Sequence, residues 1–340
     1  MKRPGLAVIA FLVGALLAFP AVAWNRSPAT TFATLPAGAT PPEGLTVDAS
    51  GNVYVATFGF PATGASTSPG RVIVFDGHGK LLRQLVIVGA SPHLLGLAFN
   101  PVTNDLLVLD FGAGQVLRVD PLTGTVLSVF SDIGGNSGLN ALTFDAAGNV
   151  YVSDSFQGII WRIPAGGGTA AVWASDPLLT TTGKPPFGAN GIAFDNSGSA
   201  LFVANTGDDS VIRIPVLPGG VSGTPEVFAD SINGADGLII DGSDNVWVAA
   251  NQSDEIVVLD PTGKAIAKLG DFEGIDNRGA VRGLLFPASL AFDGPFLLVT
   301  NLVLDTRLFG FPTLDSQWAA QVTRYTVSKI NRHLPPIHGH

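Results

Sequence analysis

Six side chains hold the same place in a recurring phrase: Glu43, Leu95, Asn140, Asn190, Asp236 and Ser289, at steps of 52, 45, 50, 46 and 53 residues. Each stands just before a short apolar run that ends, in most copies, on Asp. Four of the six are carboxylates or carboxamides, and none is Lys or Arg. Brought to one axis, two carboxylates repel each other unless a cation or a proton lies between them. Two carboxylates with two neutral amide oxygens suit a hard divalent ion, with water in the remaining positions. Calcium is the first choice, magnesium and manganese the alternatives. The lack of Cys and His at these positions speaks against structural zinc. For any one position alone a plainer reading holds, since Asn and Asp at strand starts commonly bond loop backbone. That reading does not predict four of them at equivalent places.

The elements that must position these residues follow from the repeat. Gly44-Leu45-Thr46-Val47-Asp48 is followed by Asn52-Val53-Tyr54-Val55. The pair of strands returns at residues 96–99 with 106–109, 141–145 with 149–152, 191–195 with 200–203, 237–241 with 245–248, and 290–293 with 296–299. A third strand follows, as at 71–75, 116–119, 159–163, 211–214 and 256–259, and then a fourth, as at 82–86 or 171–174. Units of about 40–50 residues with several strands each are the signature of propeller blades. The expectation is an all-β, six-bladed β-propeller over residues 24–327, with four antiparallel strands per blade. Residues 321–327 read as a third strand with no fourth after it, and residues 31–35 as a strand with none before it. Pairing these N- and C-terminal strands would close the ring and remove its exposed edges. Residues 328–340 read as a disordered tail. A β-sandwich or a solenoid explains neither the six copies nor the leftover strands.

Composition agrees. Only 13% of residues are charged, whereas a helical domain would carry far more Glu, Lys and Arg on its solvent faces. The net charge of −9 argues against a nucleic-acid partner. Lys2 and Arg3, an apolar stretch over residues 6–19 and Ala21-Val22-Ala23 read as an export signal over residues 1–23, predicting a periplasmic or secreted protein. That stretch is short for a membrane span, and no span is expected after its removal. Cysteine is absent, so the core must hold the fold without disulfides.

Strands alternate in direction, so links segregate by face. The short links share one face, and the long ones, 58–70, 175–189, 271–288 and 302–320, share the other with the six marker positions. Long loops on a rigid scaffold carry function more often than not. Phe309, Phe311 and Trp318 could form an apolar lid there, or pack the long link down. His93, near the second marker, is a candidate acid, base or substrate contact. Asp110, Asp154, Asn205, Asn251 and Asn301 end second strands. Turn capping accounts for most of these, with Asn205 and Ser289 taken as candidate substrate contacts.

Phe187-Gly188-Ala189-Asn190-Gly191-Ile192-Ala193-Phe194-Asp195, continuing through Leu201-Phe202-Val203-Ala204-Asn205-Thr206, resembles a stretch of the SMP-30/gluconolactonase/LRE-like family. Ala235-Asp236-Gly237-Leu238 with Asn245-Val246-Trp247-Val248-Ala249 is similar to that family's next blade, and Pro42-Glu43-Gly44 to its opening one. The resemblance implies a six-bladed propeller with calcium or another divalent ion in the channel, acting on a small-molecule lactone or ester. It implies Glu43, Asn190 and Asp236 as metal ligands, Asn140 as ligand or substrate contact, and Asp236 as the catalytic base or nucleophile. This chain departs from the sugar-lactone members, which carry an Arg shortly before the third marker where it has Gly138 and Leu139. Ser289 stands where some hydrolases of the group place His. The phrases are also similar to NHL repeats, which leaves open a non-catalytic propeller that binds a ligand or protein partner, with any ion structural. A carbon–oxygen lyase is a third reading, separable by product mass.

Overall fold

The computed structural model describes residues 26–60, 64 and 66–334, so the export segment expected at residues 1–23 lies outside the described residues. Among those described, no helix is long and apolar enough to cross a membrane. Six antiparallel sheets form a six-bladed β-propeller. The innermost strands are Pro42–Val47, Leu94–Phe99, Leu139–Phe144, Ala189–Phe194, Ala235–Ile240 and Pro287–Asp293. Each touches the next around the axis, and the last touches the first. In the fourth blade the third strand, Ser210–Leu217, carries a small extra hairpin with Val221–Ser222 beside its outer partner Glu226–Ala229.

The sixth blade is assembled from both chain ends. Ala29–Thr34 is its outermost strand and pairs with Thr326–Asn331, which pairs in turn with Phe296–Asn301. The closing strand therefore corrects the expected 321–327 and runs into the segment read as tail. Residues 335–340 lie outside the described residues. Residues 321–325 are turn and coil instead, and a short helix, Asp315–Ala319, precedes them, where Ser316 Oγ accepts from the Thr313 backbone N–H.

Blades one, three and five share a locking device on the short-link face. Asp48, Asp145 and Asp241 each accept backbone N–H groups across their turn and the side-chain amide of Asn52, Asn149 or Asn245. The same carboxylates receive the polar tips of Tyr54, Tyr151 and Trp247. Each of these rings meets a Phe of the next blade edge-on, Phe99 at 5.2 Å, Phe194 at 4.9 Å and Phe292 at 5.5 Å. Such rings bury a large apolar area while their polar ends stay satisfied.

One irregularity is common to all six inner strands. At its start two residues oppose one on the second strand: Glu43-Gly44 against Ala56, Leu95-Gly96 against Leu109, Asn140-Ala141 against Ser153, Asn190-Gly191 against Ala204, Asp236-Gly237 against Ala249, and Ala288-Ser289 against Thr300. A bulge of this kind re-aims the extra side chain. Its second residue is small because the next blade lies against it. A Cβ on Gly44, Gly96, Gly191 or Gly237 would fall within 3.0 Å of the carbonyl oxygen of Leu95, Asn140, Asp236 or Ala288. Where Ala141 and Ser289 replace Gly, a second-strand hydroxyl bridges the bulge, Ser153 at 3.0 Å from the Ala141 N and Thr300 at 2.9 Å from the Ser289 N.

This close approach predicts the effect of a single methyl. Gly237→Ala should lower unfolding free energy by about 1–3 kcal/mol through overpacking. Gly242→Ala, which meets nothing within 4 Å, should change it by less than about 0.5 kcal/mol. Denaturant unfolding of the two variants checks this, and equal effects would contradict it.

Candidate functional site

The bulges turn Glu43, Leu95, Asn140, Asn190 and Asp236 into one cavity near the axis, on the long-link face. All five are buried, Glu43, Asn190 and Asp236 at 4% exposure each. The register corrects the sixth position. Ala288, not Ser289, matches the other markers, because Pro287 pairs with Asn301 as Pro42 pairs with Thr57. Ser289 falls in the row of small residues and lines the wider channel toward the opposite face. The cavity measures about 30 Å³, room for an ion or a water or two and for nothing larger.

Three of the four polar markers are held by a partner one strand farther out in the same blade. Asn140 Nδ2 donates to Ser155 Oγ at 3.2 Å, and Asn190 Nδ2 to Thr206 Oγ1 at 2.9 Å. Both hydroxyl hydrogens are committed to the next blade, Ser155 to the Ala189 carbonyl at 2.6 Å and Thr206 to the Ala235 carbonyl at 2.7 Å. Each hydroxyl can therefore only accept from the Asn, which fixes the amide orientation and leaves its carbonyl oxygen for the cavity. In the fifth blade the donor is the outer residue, Asn251 Nδ2 to Asp236 Oδ2 at 2.9 Å. Glu43 has apolar Phe58 in the corresponding outer place.

Three buried oxygens at this cavity find no hydrogen-bond partner: Glu43 Oε2, Asp236 Oδ1 and Asn251 Oδ1. All are acceptors in their ordinary ionisation and amide states. Burial, and then the charge of Asp236, pushes the Glu43 carboxyl well above the usual range. Burial pushes Asp236 up to about 6, against the hydrogen bond from Asn251 that holds it down. An acceptor-only cavity with two such acids calls for protons or a cation. Glu43, Asn140, Asn190, Asp236 and Asn251 make an all-oxygen donor set of the kind hard divalent ions take. Among the described residues no three of His, Cys, Asp and Glu come together, as a ring of two acids and several amides requires.

The other expected residues fall elsewhere. Asn205 is fully buried and clamps the adjoining link, its Nδ2 donating to the carbonyls of Leu178 at 2.9 Å and Thr180 at 2.8 Å, and it does not line the cavity. Asp110, Asp154 and Asn301 also hold adjoining links, accepting the backbone N–H groups of Ser91, Gly138 and Leu285. Asn251 is the exception, since it lies one residue past its second strand, level with Ser155 and Thr206. His93 does not line the cavity. It stacks on Phe60 at 4.3 Å above it, with Nδ1 unpartnered and burial lowering its pKa. Phe309 joins the same aromatic group, whereas Phe311 lies under Lys184 and Trp318 packs on Phe272.

Comparison with known proteins fits this geometry. Residues 98–270, just over half of the chain, match the SMP-30/gluconolactonase/LRE-like region, a stretch that includes Asn140, Asn190, Asp236 and Asn251. A protein named Lactonase drp35 from Staphylococcus saprophyticus is 28% identical over 163 residues, 46% of this chain, and the match spans about half, 49%, of that relative's length. Among solved structures, a luciferin-regenerating enzyme superposes with TM-score 0.64 at 16% identity over 90% of this chain and 95% of that one. A calcium-binding regucalcin from Agrobacterium tumefaciens superposes with TM-score 0.61 at 18% identity, over 93% and 98%. At such identities the structural likeness speaks for the fold, and the sequence match carries the kinship: the chain belongs to the SMP-30/gluconolactonase/LRE-like family.

Proposed function

We propose that this protein is an exported hydrolase of a small lactone or ester that depends on a divalent cation, calcium first, held by Glu43, Asn140, Asn190 and Asp236. The observation that carries the reading is the set of partnerless buried acceptors around two acids, which a cation would satisfy together. Asn251 Oδ1 adds a further oxygen to that set. The name of the staphylococcal relative supports the lactone, and that of the regucalcin supports the ion.

When bound, a divalent ion would polarise the substrate carbonyl and stabilise negative charge on its oxygen. Asn251 holds Asp236 Oδ2, so the partnerless Oδ1 is the oxygen that would face both ion and substrate. As base, Asp236 takes a proton from the attacking water and returns it to the departing alkoxide. As nucleophile it attacks the carbonyl itself, and water then releases the acyl group. Asn140 and Asn190 keep their carbonyl oxygens aimed inward without rearrangement, because their outer hydroxyl partners are fixed by the neighbouring blades. One observation favours the second reading, a non-catalytic propeller with a structural ion: the cavity of about 30 Å³ cannot take a lactone until the side chains above it part.

Lactone hydrolysis separates the two. Chelation and Asp236→Asn should each lower kcat/KM at least about 100-fold. Equal rates for native, chelated and substituted protein would overturn the hydrolase reading.

The ion-free protein should also reveal its buried acids through pH. Asp236, raised to about 6, holds its proton more tightly folded than unfolded. Its contribution to stability is therefore full below about pH 4 and lost as pH rises through about 6, at a slope approaching 1.4 kcal/mol per pH unit. In chelator, native protein should lose stability between pH 4 and 7 relative to Asp236→Asn, and saturating calcium should abolish the difference. Parallel stability curves in chelator would contradict the burial of an ionisable Asp236.

A further inference from the structure

Six phenylalanines close a circuit above the cavity. Starting at Phe60, ring centroids lie 5.8 Å from Phe60 to Phe309, 6.0 Å to Phe187, 6.0 Å to Phe156, 5.2 Å to Phe111, 5.9 Å to Phe58 and 4.8 Å back to Phe60. They come from five links, Phe58 and Phe60 sharing one and Phe111, Phe156, Phe187 and Phe309 taking one each. Phe58 and Phe187 also line the cavity, so the circuit is continuous with the acceptor ring beneath it. Phe156 is 52% exposed at the rim, and its ring covers Gly138, where a Cβ would come within 2.8 Å of it.

This collar has a definite chemistry. No Lys or Arg lines the cavity below it. His93, stacked on Phe60, is held toward its neutral form by burial. A polyhydroxylated body entering between the rings would lose water from its hydroxyls and gain few partners, a penalty for each. An alkyl or aryl body would exchange water for apolar contact. Among the described residues, the polar side chains that line the cavity beneath the collar are Glu43, Asn140, Asn190, Thr206, Asp236 and Asn251.

We infer that the collar selects substrates with an apolar body, alkyl or aryl lactones and esters, whose carbonyl points down to the ring while the body lies against the phenylalanines. The bond broken rests on the hydrolase reading above, and the selection of an apolar carbonyl ligand does not. Hydrolysis adds water across the acyl–oxygen bond, giving a carboxylic acid and an alcohol, and needs no other reactant.

The test pairs turnover with binding in calcium-loaded protein. Turnover is measured on γ-lactones from γ-butyrolactone to γ-decalactone and on D-glucono-δ-lactone, and binding of 2-alkylcyclopentanones by calorimetry. Both kcat/KM and affinity should rise about threefold to fourfold per methylene over the first few carbons. Phe156→Ala and Phe309→Ala should each lower the preference for the longest over the shortest member at least about fivefold in both assays. Because Phe156 is half exposed, its replacement does not threaten folding. Chelator-sensitive turnover with no chain-length dependence, or with D-glucono-δ-lactone preferred, would overturn the collar and leave the hydrolase standing. Ketone binding with the expected slope and no turnover of any lactone would uphold the collar and remove the hydrolase.

Discussion

Around the axis of this propeller, two residues stand against one at the start of every inner strand, and the second of the two is packed on the backbone of the next blade. The bulge turns the first residue inward, and at Gly44, Gly96, Gly191 and Gly237 the missing Cβ lets the neighbouring strand come closer than a side chain there would allow. Convergence of the markers is thus a consequence of backbone packing rather than of attraction among the side chains, two of which repel. Where glycine is replaced, at Ala141 and Ser289, the hydroxyls of Ser153 and Thr300 take over the bulge N–H, so the geometry holds at all six positions.

What that packing collects is an electrostatic debt. Two carboxyls are buried together in a space of about 30 Å³ with no cationic side chain at its walls. Isolated buried charge costs several kcal/mol. The blades add no donors to relieve it, since the outer hydroxyls are turned to backbone carbonyls of their neighbours and the one free amide group serves a single oxygen of Asp236. A site so arranged is preorganised for positive charge and strained without it, the pattern expected where stability is given up for function.

The repeat was legible because glycine, alternating apolar residues and turn residues recur with every blade, and each reports a local backbone need. Five of the six markers followed from it. The sixth slipped by one residue because blade six has Ser289 where the others have Gly or Ala, so a polar residue in the small-residue place read as the marker itself. The closing strand slipped for a related reason: alternation over 321–327 resembles a strand, but pairing with Phe296–Asn301 fixes the register five residues later, and register is a property of two strands. Asn205 and Asn251 look alike in sequence. Only their positions relative to the strand end separate a loop clamp from a cavity wall. The aromatic collar was hidden almost entirely, since its members come from five links and no spacing joins them. Phe309 was anticipated, and with it Phe311 and Trp318, which pack elsewhere.

The account turns on whether the buried acids and amides bind a cation in place of protons, and calorimetric titration of ion-stripped protein with calcium tests this most directly. Repeating the titration at pH 6 in buffers of different ionisation enthalpy counts the protons displaced. The account predicts one calcium per chain, with release of about one proton that shrinks in Glu43→Gln. Absence of saturable binding, or binding with no proton release in native protein, would contradict it.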